Sequence, residues 1–91
     1  MQSSPAPSLK LVYLARLREA FGSAGELVEP PTGVATVGQL RQWLAARGGA
    51  WAVELAPGRA VRFAVNHAMA GMDAGVVAGD EVALFPPVTG G

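Results

Sequence analysis

The sequence predicts one small α+β domain, and three observations carry that prediction. The chain has 91 residues, 51% of them hydrophobic and 15% charged. That length holds a single domain, and that composition argues against disorder over the whole chain. Segments with strand and helix spacing follow one another as strand, helix, strand, helix and then further strands, which suits hairpins layered on one main helix. The third observation is Thr36-Val37-Gly38-Gln39, the clearest helix start in the chain.

Residues 1–8 are rich in Ser and Pro and read as a flexible leader. Leu9 to Leu14 reads as the first strand, nearly all apolar, as expected in mid-sheet. Ala15 to Phe21 reads as a short helix with Leu17 and Phe21 on one face, and Gly22 supplies a left-handed stop. Gly25 to Glu29 is the second strand, with Glu26 and Val28 on one face and Leu27 and Glu29 on the other. Pro30-Pro31-Thr32-Gly33 breaks it.

Thr36 and Gln39 then form a capping box. Val37, Leu40 and Leu44 make a core stripe flanked by Trp43, while Arg41, Gln42 and Arg47 fall on the polar side. Gly48-Gly49 ends this main helix. Ala50 to Ala56 reads as a second short helix, with Trp51 and Leu55 at i,i+4. After a Pro57-Gly58 turn, Val61 to Val65 is a half-buried strand, Asn66-His67 a turn, and Ala68 to Ala70 a return strand. Residues 71–78 read as a loop, and Gly79-Asp80 turns the chain into a last strand, Glu81 to Phe85. The domain thus spans 9–85. Val82 and Leu84 share one face of the last strand and Ala83 and Phe85 the other, so with Val82 and Leu84 in the core Phe85 faces outward.

Composition and motifs exclude several classes. Seven basic residues balance seven acidic ones with no basic run, against nucleic-acid binding. No apolar stretch approaches a membrane span, and the start lacks a signal-peptide pattern. Without cysteine there is no disulfide framework and no thiolate nucleophile, and a cytoplasmic location is the default. His67 is the single histidine, with no evident triad or metal partners. Asp73, Asp80 and Glu81 do not space a calcium loop, and the glycines do not form a phosphate loop. No metal site and no internal active site are expected.

The reactive element is expected at residues 86–91, an extended tail. Pro86 and Pro87 stop the strand and favour a stiff extended path. Six residues after Phe85 can span about 20 Å when extended. Gly90 and Gly91 carry no Cβ and fit a channel too narrow for other residues. A carboxylate on Gly91 would be a bare acyl group that other enzymes activate, for instance as an anhydride with AMP.

The run Phe85-Pro86-Pro87-Val88-Thr89-Gly90-Gly91 resembles the C-terminal signature of the small subunit of molybdopterin synthase (MoaD type), a ubiquitin-like β-grasp sulfur carrier. Gly79 to Ala83 and Leu9 to Gly22 extend the resemblance. It implies a mixed sheet packed on one main helix. It implies that Gly91 carries the chemistry, as an adenylate and then a thiocarboxylate. Val88, Thr89 and Gly90 would thread a partner's channel, Pro86 and Pro87 would aim it, and Phe85 would dock the domain. The implied partners are an ATP-dependent adenylating enzyme (MoeB type), a sulfur donor, the large synthase subunit (MoaE type) and, in the complex, the pterin precursor. The same terminus also suits a sulfur carrier for thiamine thiazole, cysteine or tRNA thiolation, a ubiquitin-like modifier, or a binding module with an inert tail.

Overall fold

Strand alternation decides which face of the sheet is buried. The computed structural model describes residues 8–87. The elements are β1 (Leu9–Tyr13), α1 (Arg16–Phe21), β2 (Gly25–Val28), α2 (Val37–Ala45), α3 (Gly49–Glu54), β3 (Arg62–Val65), β4 (Ala68–Ala70) and β5 (Glu81–Phe85). In β1, Leu9, Leu11 and Tyr13 are buried while Lys10 is exposed. The strand lies mid-sheet as expected, but only its alternate residues are sequestered, because helices cover one face only.

The five strands form one mixed sheet in the order β2-β1-β5-β3-β4. β1 and β5 are parallel, and the other pairs are antiparallel. First and last strands therefore lie side by side, with helices crossing one face: the ubiquitin-like β-grasp arrangement. The core joins Leu9, Leu11 and Tyr13 of β1 to Phe63, Val82 and Leu84 on the sheet, and to Leu17, Val37, Leu40 and Leu44 on the helices. Each such large side chain contributes roughly 1.5–3 kcal/mol through removal from water.

The capping box forms as read. Gln39 N donates to Thr36 Oγ1 at 3.2 Å, and Thr36 N donates to Gln39 Oε1 at 3.1 Å. The loop between β4 and β5 completes the cap. Val37 N donates to Ala74 O and Gly38 N to Met72 O, both at 2.9 Å. The first-turn donors that an isolated helix leaves free are thus satisfied. The same loop buries Val76, which was read only as loop.

Two helix starts differ from expectation. The first helix begins at Arg16, not Ala15, because Ala15 turns the chain at φ 53°, ψ −132°. Leu17 N closes that turn onto Leu14 O at 3.1 Å. An L-residue held there carries strain of roughly 1–3 kcal/mol. Ala15→Gly is therefore expected to stabilise the domain by about 1 kcal/mol, read as a higher urea midpoint with an unchanged slope. The second short helix starts at Gly49 and ends at Glu54, because Gly48 at φ 82° redirects the chain one residue early.

Arg47 is exposed, as expected of the polar side, and its guanidinium joins a network that runs inward to buried Tyr13. Trp51 stacks on Phe21 with centroids 3.7 Å apart, and both meet the Tyr13 ring edge-on. Arg47 lies 4.5 Å over the Trp51 ring and donates to both Glu26 carboxylate oxygens, at 2.8 and 3.2 Å. Tyr13 donates its hydroxyl to Glu26 at 2.6 Å. The Arg47 bond, with help from Tyr13, holds the Glu26 carboxyl below its ordinary pKa of 4.5. Burial and the adjacent carboxylate push the Tyr13 phenol upward. A depressed carboxyl pKa stabilises the fold above the unfolded value and loses that contribution as pH falls through the folded value. Wild type should therefore lose stability as pH drops below about 5, and Glu26→Gln should flatten that loss in urea titrations run from pH 7 to 3.

Candidate functional site: the sheet end that carries the tail

β5 brings its C-terminal end to the middle of the sheet, between β1 and β3. Val82 and Leu84 are fully buried, and Phe85 sits half-buried on the opposite face, as the alternation requires. Phe85 is not part of the domain's own core. The ladder extends one bond past β1, where Leu14 N donates to Leu84 O at 3.1 Å. It stops at Pro86, which has no N–H to offer. Pro86 and Pro87 are half-buried at the exit. The expected threading residues Val88, Thr89 and Gly90 and the expected reactive Gly91 lie outside the described residues, as does the leader up to Pro7.

The face bearing Phe85 has no helix over it. Register puts Val12, Ala64 and Ala83 along its centre and Leu27 and Met69 at its flanks. Leu27 is 71% exposed, Met69 64% and Leu14 41%. Leu14 lies beside the tail's base, Met69 at mid-sheet on one edge strand, and Leu27 on the other edge towards the start of β5, with Lys10, Glu81 and Arg62 on the same face. Reading the sequence for the tail alone missed Leu14, Leu27 and Met69. Leu14 was counted into the buried first strand, although the Ala15 turn places it outside. The Leu27/Val28 alternation was the signal for Leu27, since one of two neighbouring strand residues must face outward.

The described residues also place the sheet-end acids and the histidine. No group of three potential metal ligands occurs there. A groove of about 270 Å³ is walled mainly by Pro30, Pro31, Val34, Val76 and Val77, and contains no titratable side chain. Asp80 and Glu81 have structural partners. Asp80 accepts from Val77 N and from Asn66 Nδ2, both at 2.9 Å, and Glu81 lies 3.9 Å from Lys10. His67 reaches Glu81 at 3.8 Å and is otherwise surface. No helix among the described residues is long and apolar enough to cross a membrane.

Known proteins align with this arrangement. The model of the ThiS family matches residues 11–91. The molybdopterin synthase sulfur carrier subunit of Escherichia coli is 40% identical over 83 residues, covering 91% of this chain and 99% of that protein. The solution structure of the Haloferax volcanii HVO 2177 protein superposes with a TM-score of 0.75 at 27% identity, covering 100% of this chain and 94% of that one. The crystal structure of SAMP1, small archaeal modifier protein 1, from Haloferax volcanii superposes with a TM-score of 0.71 at 30% identity, covering 92% of this chain and 99% of that one. With a match over nearly its whole length, the chain belongs to the ThiS family, in which its relatives include sulfur carrier subunits of molybdopterin synthase.

Proposed function

We propose that this protein is the sulfur-carrier subunit of a molybdopterin synthase, acting in the cytoplasm. The observation that carries the reading is the run from Phe85 to Gly91, following a central strand whose outer face no helix covers, in a chain similar to subunits of that name. The Gly91 carboxylate attacks the α-phosphorus of ATP in an adenylating enzyme of the MoeB type, releasing pyrophosphate. A sulfur donor then displaces AMP and leaves a thiocarboxylate. The tail enters a large subunit of the MoaE type, where its sulfur passes to cyclic pyranopterin monophosphate and molybdopterin forms. Val88, Thr89 and Gly90 thread the channel, Pro86 and Pro87 aim the tail, and Phe85 seats the domain. The domain supplies reach and docking, and its partners supply the catalysis.

Intact mass tests the reading. After incubation with the host's adenylating enzyme, ATP and a sulfur source, the protein should gain the mass of one oxygen replaced by sulfur. No gain, with an enzyme proven active on another carrier, would sink the proposal. Phe85→Ala should weaken binding to the large subunit at least tenfold, as expected of an aromatic anchor, with little effect on folding. Titration calorimetry reads the first effect and thermal melting the second.

The likeness to SAMP1 favours a second reading, a protein modifier whose terminus forms isopeptide bonds. It predicts covalent ladders on cellular proteins when the tagged chain is expressed in its host. A sulfur carrier for another product, such as thiamine thiazole, cysteine or thiolated tRNA, would form the same thiocarboxylate but would bind a different acceptor enzyme.

A further inference from the structure

The chain has zero net charge, yet its charges are sorted along the strands. Parallel pairing of β1 with β5 puts the end of β1 beside the end of β5, and antiparallel pairing puts Arg62 opposite Phe85. Arg16 and Arg18 lie in α1, just beyond the end of β1, and Arg59 lies in the loop that leads into β3. Four arginines therefore gather at the end that carries the tail, against three acids, Glu19, Glu54 and Asp73, the last just past the end of β4. Arg16 and Arg59 both bond Glu54, the latter at 2.9 Å. The opposite end is acidic. Glu29 follows β2 there, and Asp80 and Glu81 open β5, with Lys10 as the basic residue among them.

The unpaired cations repeat the pattern. Lys10 and Arg47 have carboxylate partners, as do Arg16 and Arg59. Arg41 donates to the carbonyls of Leu55, Ala56 and Arg59. Among the described residues, Arg18 and Arg62 have no ion-pair partner, and both belong to the tail end.

We infer that Arg16, Arg18, Arg59 and Arg62 form a basic collar that steers the tail end onto a partner protein whose channel mouth is lined with acidic side chains. The inference rests on the sulfur-carrier reading and adds the chemistry of the surface that receives the tail. Distance separates it from substrate binding. The terminal residue can stand about 20 Å beyond Phe85, so nucleotide or pterin phosphates acting there are out of the collar's reach. A guanidinium at the tail's base meets the protein around the channel mouth. Charges so placed act mainly on the encounter rate and on the choice of partner.

Stopped-flow association of the full chain with the host's purified adenylating enzyme, and separately with the large synthase subunit, tests this. Arg62→Glu should slow association about tenfold at low salt, and the gap should close near 0.5 M salt, where charges are screened within a few Å. Lys10→Glu makes the same change in net charge at the other end, and should stay within about twofold of wild type. Arg62→Leu removes the charge alone and should give an intermediate rate, which keeps the test valid should the reversed charge impair folding. Equal slowing by Arg62→Glu and Lys10→Glu, or association indifferent to salt, would overturn the collar while leaving the carrier reading intact. Absence of any tail-dependent binding to either partner would overturn both.

Discussion

A chain shortened by Gly91 is expected to acquire no sulfur and to melt at the wild-type temperature. The two halves of that result have separate physical origins. Removing one residue draws the terminal carboxylate back by about 3.5 Å. A displacement of about 1 Å at a reacting centre can already cost a hundredfold in rate, so a loss greater than that is expected. Adding alanine after Gly91 should be as damaging, because on the proposed mechanism it would put a Cβ into the narrow channel and move the carboxylate too far. Neither change touches the packed domain, whose core ends at Leu84. Mass spectrometry after enzymatic loading and thermal melting of the same samples would show the split. Sulfur uptake by the shortened chain would mean that Gly91 is not the acceptor.

Gly25→Ala should have the opposite signature, with the fold lost and the tail chemistry untouched in principle. A Cβ on Gly25 would stand 2.3 Å from Leu11 O and 3.3 Å from Leu11 C. Both are backbone atoms of the neighbouring strand and cannot rotate away. β2 would have to separate from β1 where Val12 pairs with Gly25 and Tyr13 N donates to Ala24 O. The adjoining Tyr13–Glu26–Arg47 network depends on that spacing. A cost of about 3 kcal/mol or more is expected, enough to unfold much of a marginal small domain. Gly33→Ala is the matched control. Nothing lies within 4 Å of a Cβ there, so the change should fall within about 0.5 kcal/mol of wild type. Urea denaturation of the three proteins measures the contrast, and equal midpoints would refute it.

What the sequence disclosed follows from how local each signal is. Thr36 and Gln39 are three residues apart, and their capping box forms as read because all its atoms belong to one turn. The faces of β5 were legible because alternation fixes Phe85 opposite Leu84 wherever the sheet lies. Two other features depend on neighbours remote in sequence. Glu26 shares the inward side of β2 with Val28, as its spacing said, but its partners Tyr13 and Arg47 come from β1 and the end of α2. The positive φ at Ala15 had no glycine to announce it; the β1–β5 ladder and the Leu17–Leu14 bond enforce it. The β-grasp label likewise came from family resemblance, and the strand order only from the structure, because no periodicity states which strands adjoin. The uncovered face escaped notice for the same reason: Leu14, Leu27 and Met69 belong to three different segments and come to share one face only after register is set.

The central position of β5 also has a mechanical meaning. Whatever grips the tail and draws it into a channel pulls on β5 along its axis. Hydrogen-bonded neighbours flank that strand on both sides, β1 running with it and β3 against it. A load in that direction shears both ladders at once, so many bonds must fail together. Had the tail grown from three-residue β4 at the edge, the same tug could have peeled the strand away bond by bond. On the proposed carrier cycle, a chain seized and released at every turnover would be pulled on a strand held from both sides, and could be handled repeatedly without unravelling.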